Sequence, residues 1–159
     1  MTTTMFDQIF GLPVHALVVH AAVIFAPLLA ALSIAYAVLP RVRHRLDWAL
    51  VATALAALAS VFAAKESGER LEHRMFGGRV SEAIEVHSGF AETLLPLTAL
   101  LTVVSLALVW LTRARRAPVG TGPRAAVLVA SAVAVILAVA VGYYAVRTGH
   151  TGATAVWGA

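Results

Sequence analysis

Residues 12–39 read LPVHALVVHAAVIFAPLLAALSIAYAVL, and this run decides the class of the chain. No Asp, Glu, Lys or Arg interrupts it. It exceeds the roughly 20 residues that a helix rising about 1.5 Å per residue needs to cross a hydrocarbon layer. Three more apolar runs follow at 46–64, 87–111 and 124–146. A soluble bundle needs a polar stripe on each helix, and these runs carry almost none. The expected fold is all-α: a single transmembrane domain over 1–159, built as an integral membrane four-helix antiparallel bundle. The connection 65–86 joins its two halves.

Composition agrees. Only 13% of the 159 residues are charged, about half the roughly 25% of a soluble domain. The absence of cysteine excludes disulfides, thiolate metal sites, iron–sulfur clusters and cysteine nucleophiles. The net charge of +4 does not point to nucleic acid, because the basic residues flank the apolar runs, as topology determinants do. The first basic residue is Arg41, so the N-terminus lacks the positive region of a signal peptide and the first run is expected to stay as a membrane helix.

Arginines set the expected orientation. Arg41, Arg43 and Arg45 lie in the first connection, and Arg113, Arg115, Arg116 and Arg124 in the third. The second connection mixes both signs. The positive-inside rule then places the first and third connections in the cytoplasm, and both termini and the second connection outside. Trp48 and Trp110 fall at the inner interface, Tyr143 and Tyr144 near the outer one. Small residues recur every four positions at Ala52, Ala56, Ser60, Ala64 and Gly68, and at Ala126, Ala130, Ala134, Ala138 and Gly142. Such stripes allow close helix approach within one chain or between two copies. Pro27 and Pro96 predict kinks. The helical phase of the second span continues over Glu66–His73, Gly77-Gly78 reads as a turn, and Ser81 as an N-cap with Glu82 in the first turn.

Five histidines, His15, His20, His73, His87 and His150, fall on the outer side; His44 stands among arginines. An ionisable group inside a span is a candidate functional site. From the rise per residue, His20 and Glu92 lie about 9 and 10 Å from the midplane, where they could pair. His15 and His20 are separated by about 140° around a helix, as are His87 and Glu92, so neither pair can point at one centre. This predicts an inner group at His20 and Glu92 and a shallower one at His15, His87 and His150. His73, beside Glu69 and Glu72, reads as a bystander.

Three chemistries fit. A b-type haem takes axial histidines from facing helices, here two of His15, His20, His87 and His150. A zinc, copper or iron ion takes neutral imidazoles and carboxylates, here His15, His20, Glu66, His87 and Glu92. A proton relay needs only titratable groups beside a water path. The leading expectation is a redox-linked haem b protein. The alternatives are a metal-handling membrane protein and a structural or accessory subunit without cofactor. No HExxH, GxSxG, Walker or CxxCH motif occurs, so a stand-alone enzyme is not expected. The expected partners are the lipid bilayer, a redox protein on the extracytoplasmic side and a second copy of the chain.

Four separated stretches resemble one family: Gly11-Leu-Pro-Val-His15 with Val19-His20; Ala64-Lys-Glu-Ser-Gly-Glu69; His87-Ser-Gly-Phe-Ala-Glu-Thr-Leu-Leu95; and Gly149-His-Thr-Gly-Ala-Thr-Ala-Val-Trp157. They look like the bacterial membrane family catalogued as domain of unknown function 2231, over nearly the whole chain. The resemblance implies a four-helix bacterial protein of the inner membrane, with both termini extracytoplasmic on the orientation above. Some members are fused to Rieske iron–sulfur domains, which implies a redox role; this sequence contains no such domain. Where the family usually has His-Pro, this chain has His15-Ala16. The family has no assigned activity, so it names no catalytic residues, but it implies that His15, His20, His87 and His150 are not incidental.

Overall fold

A computed structural model describes residues 8–9, 12–76, 81–116 and 124–157. Two short strands, β1 (Gln8–Ile9) and β2 (Leu12–Pro13), pair antiparallel with Ile9 opposite Leu12. Four helices follow: α1 (Val14–Val38), α2 (Arg43–Phe76), α3 (Glu82–Arg116) and α4 (Arg124–Trp157). A 3-10 turn, Pro40–Val42, joins α1 to α2. Each helix is long and apolar enough to cross a membrane, and the chain is a multi-pass membrane protein. Ile24, Val103, Leu128 and Ile136 stand exposed on the outer surface of the bundle, where lipid tails solvate them at no cost.

Local chemistry sets the helix ends. Leu39 precedes Pro40, which disfavours a further helical residue there. The last carbonyls of α1 find partners in Arg43, whose Nε donates to Tyr36 O and whose Nη2 donates to Ala37 O, both at 2.8 Å. At the start of α3, Ser81 O accepts from the amides of Ile84 and Glu85, and Glu82 and Glu85 place negative charge in the first turn. Arg113, Arg115 and Arg116 complement the other end of that helix. The helices outrun the apolar spans: α2 continues through Glu66–His73 to Phe76. Gly77-Gly78 lies outside the described residues. Both Pro27 and Pro96 lie inside continuous helices.

α1 packs against α2 and α4, and α3 packs against the same two helices. Along α1 the buried residues are Ala22, Ala26, Leu29, Ala30, Ser33, Tyr36 and Ala37. Along α3, Leu94, Thr98, Leu101, Thr102, Ser105, Leu108 and Val109 are the same positions displaced by the 72 residues between Ser33 and Ser105. Leu50, Ala54, Ala57 and Val61 of α2 recur in the same way as Ala134, Ala138, Val141 and Ala145 of α4, at one constant interval. The core therefore alternates steps of three and four, which keeps it on one helix face. The strict four-residue stripes do not hold that face: Ser60, Ala134 and Ala138 are buried but Ala52 is exposed, as a drift of about 40° per four residues requires.

The arginine end is held by a buried carboxylate. Asp47 accepts from Tyr36 Oη at 2.7 Å, from Arg113 Nε at 2.9 Å and from Arg116 Nη2 at 2.9 Å to both its oxygens. Tyr36 Oη also lies 2.6 Å from Thr112 Oγ1. One acid thus ties α1, α2 and α3 together.

Candidate functional site

The end of the bundle opposite this network carries two histidines held in the same way. His15 opens α1, and its Nδ1 lies 3.0 Å from Ala64 O and 3.2 Å from Ser67 Oγ on α2. His87 sits in the second turn of α3, and its Nδ1 lies 3.0 Å from Thr148 O and 3.3 Å from Thr151 Oγ1 on α4. A carbonyl oxygen can only accept, so Nδ1 carries the proton in both rings. The hydroxyls agree with this assignment. Ser67 Oγ donates to Ala63 O at 2.7 Å, and Thr151 Oγ1 donates to Arg147 O at 2.9 Å, so both oxygens present lone pairs to the imidazole. Each ring is left with its Nε2 lone pair, and among the described residues no hydrogen bond engages it.

A glycine supports each ring. A Cβ on Gly68 would stand 3.1 Å from Cε1 of His15. A Cβ on Gly152 would stand 2.9 Å from Cε1 of His87. Glycine lets the helix backbone come this close without crowding the ring. Both imidazoles are half-buried.

The other expected ligands are placed differently. His20 is exposed, and its Nδ1 bonds the Ala16 carbonyl of its own helix. Glu92 and His150 are exposed too. The spacing argument explains this: five residues on from a core-facing histidine, the helix has turned by about 140° and the side chain leaves the core face. His20 and Glu92 therefore do not form the inner group expected of them. Glu66 is half-buried and ion-pairs with Arg70 at 3.9 Å along its own helix. Lys65 ion-pairs with Glu69. His73 is exposed. Among the described residues, no three of the His, Asp and Glu side chains gather closely enough to hold a metal ion.

The residues that fix the two imidazoles were not among the sequence candidates. Ser67-Gly68 and Thr151-Gly152 nevertheless carry a readable signal. Each is a hydroxyl residue followed by glycine, and each lies on the helix that follows a Val-His pair, Val14-His15 or Val86-His87. No protein-family model, curated protein or solved structure matches this chain.

Proposed function

We propose that this chain is a redox-linked membrane protein that binds b-type haem, with His15 and His87 as its axial ligands. The observation carrying this reading is the paired anchoring of the two imidazoles through Nδ1. A hydrogen bond from Nδ1–H to a backbone carbonyl fixes the tautomer, orients the ring and raises the basicity of Nε2; it is the usual outer support of a metal-ligating histidine. The number of ligands also favours haem. A structural zinc ion takes four protein ligands and a catalytic one three. Haem iron needs only one or two, because the porphyrin supplies the rest. Bound here, haem would supply one-electron chemistry, accepting an electron from a donor protein and passing it to an acceptor protein.

The proposal includes orientation and place. The helices form an antiparallel bundle in the bacterial inner membrane, with both termini and the histidine end extracytoplasmic. Arg41, Arg45 and Arg115 at the other end support this through the positive-inside rule. The redox partner would then dock on the extracytoplasmic side, and the chain would be a member of the family catalogued as domain of unknown function 2231.

The test is the visible spectrum and metal content of the protein purified in mild detergent. A Soret band that His15→Ala and His87→Ala each shift, and that the double variant lacks, is the expected result. A well-folded protein without a Soret band after haem reconstitution would overturn the reading. Stoichiometric zinc, copper or iron without porphyrin would replace it with the metal-handling alternative.

A further inference from the structure

The two imidazole clamps are related by more than likeness. The interval that carries the core of α1 onto that of α3 also carries Val14-His15 onto Val86-His87, Leu28-Leu29 onto Leu100-Leu101, and Ala35 onto Ala107. The interval that carries the core of α2 onto that of α4 also carries Ala64 onto Thr148, Ser67 onto Thr151 and Gly68 onto Gly152. The hairpin α1–α2 and the hairpin α3–α4 are thus two copies of one unit.

The packing fits a two-fold relation between them. An operation that exchanges α1 with α3 and α2 with α4 turns the α1–α2 contact into α3–α4, and α1–α4 into α3–α2. Those are the four principal helix contacts of the fold. A residue that touches its own equivalent must lie at the axis, as in any isologous contact. Ser33 and Ser105 are such a pair, with their hydroxyl oxygens 3.0 Å apart. α1 and α3 run in the same direction. Two successive contacts run forward along both helices: Ser33 meets Ser105, and farther on Tyr36 bonds Thr112. The axis therefore runs along the bundle, as in membrane folds built from parallel repeats.

Several other polar positions differ between the copies. His20 answers to Glu92, Glu66 to His150 and Asp47 to Ser131. At the clamps the chemistry is the same in both copies: imidazole, backbone carbonyl, hydroxyl, glycine. The two imidazoles are therefore equivalent groups in the two copies, each with an Nε2 that no hydrogen bond among the described residues engages.

We infer that the chain is a tandem repeat of one helix hairpin whose copies each give an equivalent histidine to a single axial site, so that haem there is ligated on both faces and closed to exogenous ligands. This rests on the haem reading above. With an imidazole from each copy holding it, a bound haem would have no position free for carbon monoxide. The site is then suited to carrying electrons rather than to binding gases.

Hemin titrated into the full-length protein in mild detergent tests this. The wild type is expected to take up one haem per chain and to keep its dithionite-reduced spectrum unchanged under carbon monoxide. His15→Gly and His87→Gly should each gain a carbon monoxide adduct, and added imidazole should restore the wild-type spectrum in both, which separates ligand loss from misfolding. A wild-type protein that binds carbon monoxide, or one variant that keeps the wild-type spectrum, overturns the paired site while leaving haem binding intact. Failure of a monodisperse, helical wild type to take up hemin overturns both.

Discussion

Ser33 and Ser105 lie 72 residues apart in sequence, occupy equivalent positions in two helices, and bring their hydroxyl oxygens to 3.0 Å. Both are buried. Their contact marks where the two halves of the bundle meet, and it can be tested covalently. The chain has no cysteine, so Ser33→Cys with Ser105→Cys introduces a single pair. A disulfide needs Cα atoms about 4.4–6.8 Å apart, a range compatible with serine hydroxyls in contact. Oxidation in the membrane should block maleimide labelling of the double variant until a reductant is added, with no gain in molecular mass. Labelling that oxidation leaves unchanged would contradict the contact.

The glycine supports predict a graded pair of stability losses. Gly68→Ala and Gly152→Ala each force a methyl against an imidazole edge, at 3.1 and 2.9 Å from Cε1. Overpacking of this kind costs about 1–3 kcal/mol, and Gly152→Ala should cost more than Gly68→Ala. Gly142 and Gly149, with nothing within 4 Å of an added Cβ, are the controls. There alanine should stabilise by about 1 kcal/mol or less through helix propensity. Thermal unfolding of the four variants in one detergent is the measurement, and equal effects at all four positions would contradict the clamp geometry.

Asp47 predicts a loss at the opposite end. Asp47→Ala removes the acceptor of Arg113 and Arg116 and one partner of Tyr36. Both arginines are partly exposed, so water recovers part of the cost. A loss of about 2–3 kcal/mol is expected from charged hydrogen bonds of this kind. Denaturant titration of the detergent-solubilised protein reads it. Haem uptake should survive this substitution if the two ends act independently.

Thr148 gives a prediction of opposite sign. Its Oγ1 is buried with no hydrogen-bond partner among the described residues, and the equivalent position in the first hairpin is Ala64. A buried hydroxyl left unsatisfied costs about 1–3 kcal/mol. Thr148→Ala should therefore raise the unfolding midpoint, while the backbone carbonyl that accepts from His87 remains in place. A lowered midpoint would mean that the hydroxyl has a partner.

The four helices were legible in composition, because the bilayer filters for length and apolarity, and helical phase carried α2 through His73 and α3 back to Ser81; the continuation of α4 past 146 to Trp157 was not foreseen. Lateral arrangement was not. In a soluble helix the apolar face points to the neighbour; here lipid and core accept the same Leu, Val and Ala, so the sequence of α1 does not mark its core side. Depth could be read from the rise per residue, and this put His20 and Glu92 at one level. Rotation about the helix decided their environment and placed both outward. The duplication was obscured for the same reason. Lipid-facing positions are free to differ, so identities survive mainly where rings, glycines and axis-lining side chains are constrained.

Each imidazole is fastened inside its own hairpin, His15 to α2 and His87 to α4. Neither anchor crosses from one repeat to the other. A ligand bound by both rings would be the bond that does so, and its affinity and the association of the hairpins would become one thermodynamic quantity. Loading the site would then strengthen the joint between the repeats, and prying the repeats apart would release the ligand without unfolding either hairpin.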